Sequence, residues 1–395
     1  MSPATLSMVK ERNTTIILDL LMNDKFSRAE LSRATGLTRS TVGEIIREML
    51  DLGIVQEGKT TSGKIGRPAI KISIRKDWAH VIGISVERNG VCARLIDSNK
   101  NILKSSEIVK VRTYGSLKEL QNDIYKVVDE TYHFARMNKI EISAMGIGMP
   151  GPFDPLTGSL KSVPSFPVAE NFSPKLLLEG KYNVSVWLGN DADMGALGEK
   201  YFGKGKNLGS FIYVFLDKGI GSGIVINGEL YVGASGYAGE LGQLTIVKGK
   251  KEIFLEKLCS VDSVIKKTRS IGVDDLNDLK ELAKAGNKLA IDTIVEVARH
   301  IGCGIVSLIY LFGIPNIIVG GMLLELGDLF LNKVRETIKR NLFHKHEVQL
   351  LKSDLGNQAI SLGAASYTLV KHTITKLRER KMLRKRNPEM WGRLT

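Results

Sequence analysis

The stretch "HVIGISVERNGVCARLIDSNKNILKSSEIVKV", residues 80–111, decides the fold. "HVIGISV" (80–86) is an apolar run that breaks at a polar turn, and "VCARLID" (91–97) and "ILKSSEIVKV" (102–111) follow across short turns. Brief apolar runs bounded by turn residues read as strands, here three consecutive antiparallel ones. A helical pattern from about Ser116 to Asn138 comes next, then a buried strand, "ISAMGIGMP" (142–150). A second such set begins in "GSFIYVFLDKGIGSGIVINGELYVG" (209–233). Two α/β lobes with a ligand cleft between them are implied.

The 395 residues suffice for two or three domains. No apolar run approaches the roughly 18 residues of a membrane span, and Met1 to Arg12 lacks the apolar core of a signal peptide. These features predict a cytoplasmic protein with no membrane partner. Cys92, Cys259 and Cys303 lie far apart, which argues against a disulfide framework or a paired-cysteine metal site; they read as small core residues. The formal net charge of +14 points to a polyanionic partner. The charge sits at the ends: residues 1–76 hold 13 Lys/Arg against 8 Asp/Glu, and residues 371–395 hold 9 against 2.

In the leader, "FSRAELSRATGLTRSTVGEIIREMLDLGIV" (26–55), Ser27 and Glu30 stand at capping-box spacing. Gly36 breaks that helix and Thr38 caps a second one. Val42, Ile45, Ile46, Met49 and Leu50 then recur at helical spacing, leaving Arg39, Ser40, Thr41 and Arg47 on the opposite side. Two short helices around a glycine turn, the second with small polar and Arg residues near its start, fit a helix-turn-helix. Arg39, Ser40, Thr41 and Arg47 are the candidate major-groove contacts; a good bidentate base contact is worth about 1–3 kcal/mol of discrimination. The alternative is a helical hairpin packed on another element. Next, "IVQEGKTTSGKIGRPAIKISI" (54–74) reads as a hairpin wing. Its loop carries Lys64 and Arg67, suited to phosphates or a narrow minor groove, or else is a plain linker.

Three strands, helix, strand is the opening order of the ribonuclease H-like fold of sugar kinases, actin and Hsp70 chaperones. The motifs "GIGMPGPFDPLTG" (146–158), "NDADMGALGEKYFG" (190–203), "GIGSGIVINGELYVGASGYAGELGQ" (219–243) and "PNIIVGGML" (315–323) occur in order within it. With the leader and "GRP" (66–68), they make the chain resemble the ROK family (repressor, open reading frame, kinase). The likeness is to its winged-helix, sugar-responsive repressors of the xylose-operon and N-acetylglucosamine-operon type, from about Asn13 to Tyr367. The resemblance implies that Asn190 and Asp191 bind sugar, Asp191 standing at the general-base position. It implies the same for Glu240, and for Glu256 by a looser match. Fixed carboxylates and amides suit paired sugar hydroxyls, because each buried polar group left unpaired costs about 1–3 kcal/mol. Asn190 and Asp191 also stand where they can cap the following helix.

Three departures separate the chain from the family's kinases. Those carry an Asp-x-Gly-Gly-Thr phosphate turn after the first strand; here Ser85, Val86, Glu87, Arg88 and Asn89 occupy that region, without the glycines that permit close backbone approach. A second phosphate motif, Gly-Thr-Gly, is replaced by Asp217, Lys218 and Gly219, where the Asp repels phosphate. Gly320 and Gly321 resemble the adenosine-side glycines. Gln243 stands where the family's zinc-binding His is expected, and only Cys259 follows where several close cysteines are expected. Zinc takes four N or S ligands in a closed site, so no metal and no cofactor are expected. Gln243 offers the sugar an amide in place of an imidazole.

The sequence thus predicts an N-terminal winged helix-turn-helix (1–75) on a two-lobed α/β, ribonuclease H-like domain (76–375). One lobe is about 76–189 plus the C-terminal helix, the other about 190–360, and a basic tail (376–395) follows. That tail extends the final helix, with Asn387-Pro388 ending it, and is either solvated or an extra phosphate or partner contact. The expected function is a sugar-responsive repressor of carbohydrate genes, not an enzyme, with a double-stranded DNA operator and a small-molecule sugar as partners and a homodimer or higher homo-oligomer as assembly. The alternatives are an ATP-dependent sugar kinase with an accessory DNA-binding domain, and a DNA-binding scaffold with a vestigial cleft.

Overall fold

The computed structural model describes residues 6–61, 69–111, 113–154, 157–161, 166–248, 250–343 and 347–386. The chain begins with α1 (Leu6–Asn23), a two-residue β1 (Phe26–Ser27), α2 (Arg28–Thr35) and α3 (Arg39–Asp51), then the antiparallel hairpin β2 (Val55–Thr61) and β3 (Ala69–Ile74). The expected start signals operate. Ser27 Oγ accepts from the Glu30 amide at 3.3 Å while Glu30 Oε2 accepts from the Ser27 amide at 2.7 Å, and Thr38 Oγ1 accepts from the Thr41 amide at 3.2 Å. Gly36, at φ 71°, closes α2 in the left-handed region that glycine adopts without steric cost. β1 pairs with β3, so the wing is stitched to the start of α2. Lys64 and Arg67 lie outside the described residues.

The body's first sheet comprises β4 (His80–Glu87), β5 (Gly90–Asp97), β6 (Ile102–Ser105) and β7 (Val109–Lys110), crossed by α4 (Leu117–Met137). It continues with β8 (Ala144–Met149), α5 (Pro174–Tyr182) and β9 (Ser185–Asn190). Its order is β6-β5-β4-β8-β9, with β7 also on β5; β4 runs antiparallel to β5 and parallel to β8, and β8 parallel to β9. Next come α6 (Asp191–Phe202), β10 (Phe211–Leu216), β11 (Ile220–Ile226), β12 (Glu229–Leu230), the hairpin β13 (Thr245–Lys248) and β14 (Lys251–Phe254), and helices α7 (Leu255–Cys259), α8 (Val261–Thr268), α9 (Leu276–Lys284) and α10 (Lys288–Phe312). β15 (Asn316–Gly320), α11 (Asp328–Asn341), β16 (Gln349–Lys352) and α12 (Ala359–Arg386) follow. The second sheet, β12-β11-β10-β15-β16, repeats the first in order and sense. This duplication of antiparallel then parallel pairs is the ribonuclease H-like architecture.

α10 corrects one expectation from the sequence: by length and composition it is long and apolar enough to cross a membrane. In the fold its Ile294, Ile301 and Ile305 are fully buried in the second lobe's core. A core helix packed inside a globular lobe passes the same length and composition test.

α12 and α6 cross at backbone distance. A Cβ on Gly363 would fall 1.7 Å from the Met194 carbonyl oxygen, and one on Gly198 would fall 2.0 Å from that of Ala359. Only glycine permits this approach, so the two helices form one rigid beam between the sheets. α12 continues to Arg386 and reaches the N-terminal helical module, where Arg380 donates to the Glu48 carbonyl (3.0 Å) and to Asp51 (2.7 Å) at the end of α3. Arg378 also pairs with Glu11 of α1. Asn387 and Pro388 lie outside the described residues. Ile17, Leu18, Leu21 and Met22 of α1 join one continuous core with α3, α6 and α12. Burying each such side chain contributes about 1.5–3 kcal/mol.

Candidate functional site

β9 ends at the mouth of the cleft, and its last residue, Asn190, is the N-cap of α6: its Oδ1 accepts from the Ala192 amide at 2.9 Å. Asp191, 8% exposed, accepts from the same amide at 2.8 Å. Burial pushes the Asp191 carboxyl up against the opposing pull of Arg88, while the α6 N-terminus favours its ionised form. Across the cleft, Gly239 turns at φ 85° so tightly against β11 that a Cβ would meet the Ser222 carbonyl oxygen at 1.9 Å. Ser222 returns two bonds to the Gly239 carbonyl, from its amide at 2.8 Å and its hydroxyl at 2.9 Å. That turn delivers Glu240. Glu256, at the start of α7, accepts from the Ile220 amide at 3.0 Å. Burial, then Asp191 and Glu256, raise the Glu240 carboxyl.

Asn190, Asp191, Glu240, Gln243 and Glu256 line one cavity of about 360 Å³, within the range of small-molecule sites. Four residues that sequence reasoning did not assign to a ligand share it: Arg88, Ser222, Tyr237 and Lys257. Arg88 was legible only as a lost glycine. In the fold its guanidinium packs against Gly219, where a Cβ would fall 1.7 Å from Nη1. Its Nε is buried and has no hydrogen-bond partner among the described residues. A bulky cation therefore fills the angle between the β4–β5 turn and the β10–β11 turn. In the second of these turns, Asp217 accepts from the amides of Lys218 (2.7 Å) and Met322 (3.1 Å). Beyond it lies a further cavity of about 790 Å³, lined in part by Gly320 and Gly321, with Glu87 and Asp217 at its edge. Burial, then the Asp217 charge, pushes the Glu87 carboxyl up to about 8.

Among the described residues no group of three or more His, Cys, Asp or Glu is arranged to hold a metal. Cys259 is fully buried with its thiol toward the Val297 carbonyl, and Cys92 is buried too, whereas Cys303 is exposed, unlike the core residue expected.

On the DNA-binding module, Val42, Ile45, Ile46 and Met49 are buried and Leu50 is half-buried, while Arg39, Ser40 and Arg47 are exposed and Thr41 is half-buried. Ser40 and Thr41 share hydrogen bonds with the Thr38 hydroxyl, at 2.8 and 2.9 Å, which holds the first turn of α3 in one geometry. Three helices, a wing and an exposed polar face on α3 have the shape of a major-groove reader.

A winged helix fused to a two-lobed, ribonuclease H-like body with a carboxylate-lined cleft defines the class of protein. Residues 81–371 match the ROK family, and the chain belongs to it. It is 26% identical to the xylose repressor of Caldicellulosiruptor bescii, over 92% of this chain and 96% of the relative. It is also 26% identical to the DNA-binding transcriptional dual regulator NagC of Escherichia coli, over 93% and 94% of the two chains. The solved structure of a ROK family transcriptional regulator, a homolog of the E. coli MLC protein, superposes with a TM-score of 0.74 at 20% identity, covering 93% of this chain and 96% of that one.

Proposed function

We propose that this chain is a sugar-responsive transcriptional repressor of carbohydrate-metabolism genes, with α3 reading a duplex operator and a sugar held in the cleft as effector. The observation that carries the reading is the placement of α6. Its N-terminus presents Asn190 and Asp191 to the cleft, and its last turn presents Lys200 and Tyr201 to α1. Lys200 Nζ pairs with Asp19 at 2.8 Å, and the Tyr201 hydroxyl donates to the same carboxylate. One helix of 12 residues, about 18 Å long, therefore joins the ligand site to the DNA-binding module. A sugar bridging Asn190 and Asp191 to Glu240, Gln243 and Glu256 changes the lobe angle. The sugar shifts operator affinity only by its own difference in affinity between the two arrangements.

Phosphoryl transfer is lost in this reading. Arg88 occupies the phosphate turn and Asp217 closes the second one, leaving Asp191 as a hydroxyl ligand with no proton-transfer task. Two copies of the chain in a homodimer set two α3 helices on paired half-sites.

The test is selection of duplexes from promoter fragments by the full-length protein, repeated with a panel of saccharides and with ATP and Mg²⁺. A sequence-specific complex that one saccharide weakens or strengthens supports the proposal. Formation of a sugar phosphate from ATP supports the kinase instead, and specific DNA binding that no saccharide alters supports a scaffold with an idle cleft.

A further inference from the structure

A second cavity abuts the cleft on the side facing the DNA-binding module. It measures about 640 Å³, and Gly151, Pro152, Asn190, Tyr237 and Glu240 line both spaces. Its opposite wall is α1, through Arg12, Thr15 and Asp19. Asp193 lines only this second space. It is half-buried, and no hydrogen bond or ion pair joins it to any described residue. Capping of α6 does not use it, since Asn190 does that. Burial, then the neighbouring Asp191 and Glu240, push its carboxyl up to about 7. A half-buried acid that faces a cavity and has no partner in the protein is open to hydrogen bonds from a ligand.

Of the other charges on these walls, Arg12 pairs with Glu229 at 3.1 Å and Lys200 with Asp19 at 2.8 Å, while Lys161, Lys371 and Glu240 add charges of both signs. The space therefore does not select for a charged ligand. Phe153, Tyr237 and Tyr367 add ring faces to it. Ring faces beside hydrogen-bonding carboxylates suit a neutral, polyhydroxylated ring, which has apolar C–H faces and a polar rim.

We propose that the effector is a di- or oligosaccharide, with one ring among Asn190, Asp191 and Glu240 and the next ring crossing into the space under α1, where Asp193 takes its hydroxyls. The inference rests on the reading of the cleft as a sugar site. It makes the second ring a direct bridge between cleft and DNA-binding module, seated against Arg12 and Thr15.

The experiment is titration calorimetry of the full-length protein with matched probes: xylose and xylobiose, glucose, cellobiose and maltose. One disaccharide binds at least tenfold tighter than its monosaccharide. Asp193→Asn removes that advantage and leaves the monosaccharide within about twofold, which also certifies the variant's fold. On the unaltered protein, amide exchange in α1 slows with the disaccharide and not with the monosaccharide. A monosaccharide as tight as its disaccharide, an Asp193→Asn variant that keeps the difference, or equal exchange in α1 overturns the second subsite and leaves the cleft reading standing. Silence from every saccharide removes both.

Discussion

Replacing Asp19 with alanine removes the one carboxylate through which α1 grips the far end of α6. Its side chain is 16% exposed and that of Lys200 11%, so the pair is well shielded from solvent. Truncating one partner of such a pair leaves the other charge buried and unmatched, which costs about 2–4 kcal/mol. The Tyr201 hydroxyl loses its acceptor too, worth about 1 kcal/mol more. The loss falls on the docking of the DNA-binding module; Asp19 touches none of the five proposed ligands of the cleft, and because it walls the second cavity the effector is held at saturation throughout. Coupling between two sites is usually worth 1–3 kcal/mol, about 5–150-fold in affinity. Weakening the joint by a larger amount abolishes it. The assay is fluorescence anisotropy of a labelled operator, with and without saturating effector, for the original protein and for Asp19→Ala. The expected variant binds DNA and sugar separately, but its operator affinity no longer responds to sugar. In Asp19→Ala combined with Lys200→Met, urea unfolding recovers most of the lost stability, since no orphaned ammonium remains, while the coupling stays lost. An operator response to sugar in Asp19→Ala equal to that of the unaltered protein refutes the reasoning.

Four further outcomes are expected. Arg39→Ala weakens specific operator binding by about 1–3 kcal/mol and relaxes base preference at one position; unchanged affinity and preference in a titration at fixed salt remove Arg39 from readout. Asp191→Ala lowers sugar affinity at least tenfold in calorimetry and leaves DNA binding without sugar unchanged. Arg380→Ala releases the end of α3 from α12, costing about 1–3 kcal/mol in thermal unfolding and weakening the operator complex with no change in sugar affinity. Glu87 binds its proton up to about pH 8 in the folded chain and only to about 4.5 when exposed. Its contribution is therefore full below about pH 4.5 and is lost as pH rises through about 8. Glu87→Gln flattens that fall in urea unfolding between pH 5 and 8.5.

Local chemistry made much of this readable from the sequence. The Ser27–Glu30 box and the Thr38 cap set the start of α2 and α3, and Ser116 and Asn138 turn out to be the two caps of α4. The five proposed sugar ligands, spread over 67 positions from Asn190 to Glu256, come together in one cavity. What stayed hidden depends on contacts distant in sequence. α1 carries no strong pattern until Ile17, Leu18, Leu21 and Met22 meet the α6–α12 beam. Arg378 and Arg380 look like any basic tail until α12 brings them to α1 and α3. Arg88 reads as the absence of a glycine, and only the second lobe, arriving with Gly219 some 130 residues later, gives its side chain a place. Asp193 sits two residues past Asp191 in a helical start, where a carboxylate is expected for the helix dipole alone; its lack of a partner is visible only in three dimensions.

The central claim is that cleft and DNA-binding module are energetically joined, and linkage offers the most direct test of it. The factor by which sugar changes operator affinity must equal the factor by which operator changes sugar affinity. The measurement is sugar titration by calorimetry on the free protein and on the protein saturated with operator duplex. The account predicts two sugar dissociation constants that differ at least fivefold, in the ratio found by operator anisotropy with and without sugar. Identical sugar affinity in the free and the DNA-bound protein contradicts it.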